Sequence, residues 1–135
     1  VNPIPDVTTT PANQTICSGT ATSIALTSSV AGTTFSWTVS QTGASGASAG
    51  SGNSINQTIT ATGTTPGSVI YTITPSANSC SSAVPATVTI TVNPLPVATA
   101  SPVSQTLCDG SATSIGLTSN LGSTTFAWTV TSNGV

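Results

Sequence analysis

The chain repeats itself with a period of 91 residues, and this repeat limits what it can fold into more than any other feature does. Three segments recur 91 positions later with few changes: Val1–Pro5 as Val92–Pro96, Gln14–Cys17 as Gln105–Cys108, and Phe35–Val39 as Phe126–Val130. When residues 1–44 are aligned with residues 92–135, 24 of the 44 positions are identical and no gap is needed. Chance does not produce such agreement, so the sequence contains two copies of one unit.

The repeat predicts one complete domain and part of a second. Residues 1–91 form one unit, and residues 92–135 correspond to the N-terminal half of an equivalent unit, with residues 92–96 as a proline-rich linker. Half a unit cannot close a sandwich, so we expect either that the natural polypeptide continues or that strands of another chain complete it. Two prolines in the linker restrict the backbone, so we expect a stiff connection between units.

Alternating apolar and polar residues predict strands throughout the unit. The predicted strands are Val7–Thr10, Gln14–Cys17, Ser23–Thr27, Thr33–Val39, Ile55–Thr60, Ser68–Thr74 and Val84–Val92. One apolar face and one face rich in Thr are typical of a two-layer sandwich. Together with the length of the unit, this pattern predicts an all-β, immunoglobulin-like β-sandwich.

The aromatic residues are predicted to lie in the core. Trp37 occupies the strand position at which such sandwiches keep a buried Trp, and it alternates with Phe35 along one face. Tyr71 lies on the apolar face of its own strand, and Phe126 and Trp128 repeat the Phe-x-Trp pair in the second unit. The alternative for Trp37 is an exposed platform on which a sugar stacks.

The charge content of the chain excludes most catalytic chemistry. There is no Lys, Arg or His, and the only charged side chains are Asp6 and Asp109. General acid–base catalysis, nucleophile activation and metal binding all need clusters of such groups. We therefore expect a protein that is not an enzyme and needs no cofactor or metal. Nucleic acid is excluded as a partner because phosphate binding requires a cationic surface.

Comparison of the two copies argues against a shared function for either Asp. Asp6 is replaced by Val97 in the second unit, and Asp109 is replaced by Ser18 in the first. A site essential to every unit would not tolerate these exchanges.

Cys17 and Cys80 are the two cysteines of the complete unit, and Cys108 repeats Cys17. In an extracellular protein we expect Cys17 and Cys80 to form a structural disulfide, which leaves Cys108 without a partner in this sequence. Two alternatives remain open: free thiols in the core, and a metal-binding or catalytic cysteine.

The segment Gly43–Asn53 is the longest predicted loop. Its Gly, Ala and Ser residues indicate mobility, and it is one candidate site for recognition of a glycan. This binding hypothesis predicts a cluster of exposed aromatic side chains, with Trp37 accessible to solvent.

Taken together, several of these motifs resemble a known family. The segments are Gln14–Gly19, Thr22–Ser28, Phe35–Val39, Tyr71–Pro75 and Val92–Pro96. They look like the PKD-like, immunoglobulin-type repeats of very large secreted proteins of Bacteroidetes. The resemblance implies tandem arrays on gliding or adhesin-type surface proteins, exported by a type IX pathway. It implies no catalytic residue, and it implies the same pairing of Cys17 with Cys80.

The sequence therefore favours a structural module of a long extracellular stalk, adhesin or filament on a cell surface. Its expected partners are neighbouring repeats of the same chain, with homopolymeric assembly as an extension, because a nearly neutral surface causes little repulsion between copies. The alternative is a module that binds a glycan or another surface. No apolar run is long enough for membrane insertion. Cross-β assembly is disfavoured by the prolines and the long period.

Overall fold

The computed structural model describes residues 1–134, and all of their regular secondary structure is β-strand. The strands are Thr8–Thr10 (β1), Asn13–Cys17 (β2), Thr20–Ala21 (β3), Ile24–Thr27 (β4), Thr34–Thr42 (β5), Ala44–Ser45 (β6), Gly50–Ser51 (β7), Ser54–Ile55 (β8), Thr58–Ala61 (β9), Gly67–Ala77 (β10), Cys80–Ser81 (β11), Ala86–Asn93 (β12), Ala98–Ser101 (β13) and Gly116–Ser119 (β14). Within these residues no helix is long and apolar enough to cross a membrane. The predicted all-β, immunoglobulin-like class is confirmed.

The chain divides into two compact units. The first unit is Val1–Pro94, and the second begins at Leu95. All strands from β1 to β12 belong to the first unit, whereas β13 and β14 belong to the second.

Strand β10 is the centre of the larger sheet of the first unit. It pairs antiparallel with β5 from Ser68 to Ser76 and with β12 from Gly67 to Ile73. Strand β2 continues the sheet by pairing parallel with β12, and β7 closes the other edge against β5. Strand β10 has nine consecutive paired positions with β5 and seven with β12, which makes it the best-connected element of the fold.

The second layer consists of two smaller sheets, ordered β1–β4–β8 and β3–β9–β6. Both layers contribute side chains to one core, in which Ile55 and Ile59 of the small sheets and Val69, Tyr71 and Ile73 of β10 are all 0% exposed. The alternation predicted for these strands places the same residues inward. Branched and aromatic side chains are favoured on such half-buried pleated surfaces, which explains why these segments form strands.

The strand directions give the first unit two distinct ends. The chain enters beside Thr8, which pairs with Thr27 just before the turn that leads into β5 at Thr34. It leaves through β12 at Asn93, beside Cys17 of β2. We call the end at which the chain enters, beside Thr8, the N-side end. We call the end at which it leaves, at Asn93, the C-side end. Strand β10 runs from the C-side end at Gly67 to the N-side end.

The second unit repeats the local fold of the first in the same register. Strand β13 pairs antiparallel with β14, with Thr99 opposite Thr118 and Ala100 opposite Leu117. The positions 91 residues earlier are Thr8 opposite Thr27 and Thr9 opposite Leu26, which are partners in β1 and β4. Side-chain bonds recur as well: Ser114 N donates to Gln105 Oε1 over 3.1 Å, as Ser23 N does to Gln14 Oε1.

The segment Gly43–Asn53 differs from the irregular loop that its composition predicts. It contains β6, which pairs with β9, and β7, which pairs with β5 at Trp37. Glycines make these contacts possible, because a Cβ on Gly50 would lie 2.9 Å from the Trp37 ring. The small residues therefore serve close packing across the end of the sandwich.

Replacing Gly67 with Ala tests the close approach of this segment to β10. The added Cβ would overlap the carbonyl oxygen of Gly43 and lie 2.9 Å from the Ala44 side chain. We expect Gly67→Ala to lower the free energy of unfolding by about 1–3 kcal/mol, because overpacking forces the backbone to move. Gly63→Ala is the matched control: its Cβ would meet nothing within 4 Å, so urea unfolding should change by less than about 0.5 kcal/mol. Equal stability of the two variants would contradict the proposed packing.

Candidate interaction surfaces

A polar network centred on Gln57 holds the Gly43–Asn53 segment against the core. Gln57 Oε1 accepts hydrogen bonds from the Tyr71 hydroxyl over 2.7 Å and from Ser48 N over 2.9 Å. Gln57 Nε2 donates to Ser48 O over 2.9 Å, and the Trp37 indole nitrogen donates to the same oxygen over 3.2 Å. Burial raises the pKa of the Tyr71 hydroxyl. The network satisfies two aromatic polar groups and fixes the segment at Ser48.

Gln57 has a role that the sequence interpretation missed. It lies two positions from each of Ile55 and Ile59, both buried, so a strict alternation would point it inward. A polar residue at an inward position between two apolar ones is the signal that could have revealed it, since buried polar groups require partners.

The burial of Trp37 removes the basis of the glycan-platform hypothesis for the first unit. Its side chain is 7% exposed, Phe35 is 4% exposed and Tyr71 is 0% exposed. All three therefore lie in the core, and the first unit shows none of the exposed aromatic rings on which a sugar would stack.

Asp6 fastens the chain to the turn at the N-side end. Its Oδ1 accepts from Ser28 Oγ over 2.7 Å, from Ser29 N over 2.7 Å and from Ser29 Oγ over 2.9 Å. These hydrogen bonds lower the pKa of Asp6 from its ordinary value of 3.8, and the bond from the Ser28 hydroxyl has the largest effect. Hydrogen bonds donated to the charged form cause such a shift.

The second unit makes the same connection with the roles reversed. Asn120 replaces Ser29, and Val97 replaces Asp6. There the Asn120 Oδ1 accepts from Val97 N over 2.7 Å. In both units, a hydrogen bond to one side-chain oxygen joins two segments. One segment precedes the first strand (β1 or β13), and the other is the turn that follows the partner of that strand (β4 or β14). This explains how Asp6 can be exchanged for Val97 without loss of the contact.

The outer face of the large sheet is an uncharged hydroxyl surface. Thr38, Thr72 and Thr87 lie side by side across β5, β10 and β12. The row beside them contains Ile70, which is 40% exposed. Neighbouring strands are about 4.8 Å apart, so the face presents closely spaced hydroxyl groups without any charge.

The cysteines do not form the predicted bond, and the predicted Cys17–Cys80 disulfide is wrong for this fold. All three cysteines are free. In the strand register, Cys17 of β2 lies opposite Asn93 of β12 at the C-side end. Cys80 of β11 lies opposite Ala77 of β10 at the N-side end. The ten steps of β10 between Gly67 and Ala77 span about 33 Å at 3.3 Å per residue. A disulfide requires Cα atoms within about 7 Å, so the two thiols cannot meet within one unit.

The aromatic pair of the second unit is not buried as the first pair is. Phe126 is half-buried and Trp128 is 74% exposed, beside an apolar cavity of about 450 Å³ that also contacts Ile115 and Leu117. In the first unit, β7 and β10 flank Trp37. Among residues 1–134, Trp128 lies in no strand and has no such flanking strands.

The charged residues are not gathered into a site. Asp6 lies at the N-side end of the first unit, and Asp109 is exposed in the second. Among residues 1–134 there is no group of three or more His, Cys, Asp or Glu side chains that could hold a metal ion.

Gln57→Ala is expected to destabilise the first unit because it leaves the buried Tyr71 hydroxyl without its acceptor. Loss of a partner for a buried polar group costs about 1–3 kcal/mol, measurable by urea unfolding. The emission of Trp37 should also change, since its indole bond shares the Ser48 carbonyl. Gln41→Ala is the matched control, because Gln41 is exposed and its amide bonds to Ala47 are 3.3 and 3.5 Å long. A similar loss in both variants would argue against the network.

The stability of the chain should fall in acid because Asp6 must lose its charge. Folding lowers the pKa of Asp6, so the unfolded state binds the proton more readily. The stabilisation is complete above pH 3.8 and is lost as the pH falls through the lowered pKa of the folded state.

Asp6→Asn provides the comparison, since Asn120 makes the equivalent bond without a charge. We expect this variant to fold at neutral pH and to show a smaller acid-induced shift in its urea midpoint than the native chain. An unchanged acid shift would contradict the role of Asp6.

Comparison with known proteins places this fold in a family. Residues 14–96, more than half of the chain, match the PKD-like domain. No curated protein and no solved structure is similar enough to match. The matched segment begins within strand β2, ends after β12 and includes every strand of the first unit except β1, together with the buried aromatic residues and the Gln57 network. The chain belongs to the PKD-like domain family.

Proposed function

We propose that this chain is a non-catalytic structural module of a long extracellular stalk, adhesin or filament on a bacterial surface. The observation that carries the proposal is the direction of the chain through the first unit. The polypeptide enters beside Thr8 at the N-side end and leaves through Asn93 at the C-side end. A domain with this property adds length when it is repeated, because each copy begins where the previous one ends.

The repeat supports this function in a second way. Register, turn bonds and the contact between the first strand and its turn recur 91 residues later. Repetition of one domain with connections of only a few residues suits a spacer, because the same kind of core stabilises every copy. The motifs shared with repeats of large Bacteroidetes surface proteins favour a gliding or adhesin-type protein as the parent.

The uncharged surface determines which partners suit such a module. With two charged side chains in 135 residues, copies of the chain repel one another weakly. Neighbouring repeats, and further copies aligned beside or behind them, are therefore the partners that the surface favours. We give the glycan-binding alternative less weight, because the aromatic side chains of the first unit are buried.

The length of tandem proteins tests the proposal. Chains with one, two and three inserted copies of residues 1–91, with every cysteine replaced by Ser, should lengthen by about 33 Å per copy, the span of β10. Small-angle scattering and negative-stain micrographs measure this increment. A maximum dimension that grows far more slowly, as in a compact cluster of domains, would rule out the stalk.

A further inference from the structure

The outer face of the large sheet holds a single apolar side chain among hydroxyl groups. Its outward positions run from Thr34 to Thr42 on β5, from Ser68 to Ser76 on β10 and from Thr87 to Thr91 on β12. All of them are Ser or Thr except Ile70. We call this surface the hydroxyl face. It carries no charge, although charged residues make up about 25% of a typical globular chain.

Ile70 lies at the centre of a square of hydroxyl residues. Its partners on the neighbouring strands are Ser40 of β5 and Thr89 of β12. Ser68 and Thr72 flank it on the same face of β10, and their own partners place a Thr at each of the four corners. The Ile70 side chain is nevertheless 40% exposed. An apolar centre within a polar ring is the arrangement of an interface hot spot, in which the ring excludes water from the centre.

We propose that the hydroxyl face is the surface by which two copies of the chain associate side by side, with Ile70 of one copy packed against Ile70 of the other. Both copies then contribute the same patch about a two-fold axis, and the two sheets lie about 10 Å apart. This inference rests on the proposed function, for which it names the lateral partner and the surface that binds it.

A second copy suits this face because a hydroxyl group can both donate and accept a hydrogen bond. Two identical hydroxyl faces are therefore complementary, whereas two identical faces of like charge repel each other. No charged group has to leave water when the faces meet, so the largest cost of burying a polar surface is absent. Contact between the two Ile70 side chains adds the burial of apolar area.

The connections of the first unit to the rest of the chain do not occupy this face. The chain enters beside Thr8 and leaves at Asn93, so the connections lie at the ends of the strands. The hydroxyl face lies along the length of the strands. Ile70 and the hydroxyl residues around it are exposed or half-buried, so none of residues 1–134 covers them. An end-to-end array therefore leaves the face free for a second chain.

The size of the hydroxyl face indicates a weak and reversible dimer. At 3.3 Å per residue, the face is about 26 Å long from Ser68 to Ser76. With β2 beside β12, it is about 19 Å wide at 4.8 Å between strands. Each copy then buries roughly 400–500 Å², and interfaces below about 1,200 Å² in total belong to weak associations. Such contacts join chains that are crowded together and release them on dilution.

Sedimentation of the full chain over a concentration series, with its thiols kept reduced, tests the proposal. We expect a reversible shift from monomer towards dimer as the concentration rises to about 1 mM. A chain that remains monomeric at that concentration would overturn the proposal.

Replacement of Ile70 should weaken the dimer. Ile70→Lys removes the apolar centre and brings two like charges together, so we expect the dissociation constant to rise at least about thirtyfold. Ile70→Thr, which extends the hydroxyl pattern and keeps the branched side chain, should raise it about tenfold. Val84→Lys is the matched control: Val84 is 79% exposed and lies in no strand, so the constant should change by less than about twofold. Equal effects of the two Lys variants would refute the role of Ile70.

A mixture of Ile70→Lys and Ile70→Asp chains shows whether the two copies meet at this residue. Each variant alone should associate poorly, whereas the mixture should form dimers more readily than either, because unlike charges then face each other. A mixture that associates no better than its components would refute the face-to-face arrangement. Dimers that persist in Ile70→Lys alone would form through another surface, such as that beside the exposed Trp128, and would refute it as well.

The tandem proteins separate this inference from the proposed function. When every inserted copy carries Ile70→Lys, the length added per copy should equal that of the unmodified tandem proteins. A normal increment without dimers would refute the lateral contact alone, and dimers without the increment would refute the stalk.

Discussion

The pairing of β10 with neighbours on both sides is the interaction on which the rest of the structure depends. The chain has no Lys, Arg or His, so no ion pair between side chains can contribute to its stability. Backbone ladders, apolar burial and neutral hydrogen bonds must supply all of the cohesion. Strand β10 joins these contributions, because its inward residues Val69, Tyr71 and Ile73 are fully buried and its backbone bonds to both β5 and β12.

The parallel pairing of β2 with β12 gives the unit its polarity. Strands joined by hairpins alternate in direction. In a unit built only from hairpins, the chain could therefore enter and leave at the same end or at opposite ends. A parallel neighbour instead brings Cys17 and Asn93 to the same end. The first strand, fixed by Asp6 to the turn at Ser28, begins at the opposite end. The opposite placement of the entry and exit of the chain in the first unit, and the separation of Cys17 from Cys80, both depend on this parallel contact.

Local alternation was enough to predict the longer strands of the first unit and the residues in them that face the core, because each of these strands is half-buried and its pattern has a period of two. It was not enough to predict contacts between distant segments. Cys17 and Cys80 were expected to meet because they share one unit, but only the register of β2, β12 and β10 shows that they lie at opposite ends. Likewise, the small residues of Gly43–Asn53 indicate a loop until their packing against Trp37 and Gln57 is known.

The exchange between Asp6 and Asn120 shows what the repeat preserves. In one unit the acceptor lies on the segment before the first strand, and in the other it lies in the turn, yet both bonds are 2.7 Å long. What recurs is the connection between the two segments, and either segment can supply the side chain. Because the bond needs only an acceptor oxygen, a unit can keep the connection with or without a charge. The N-side end of a unit can therefore carry a charge or lack one while this connection is kept.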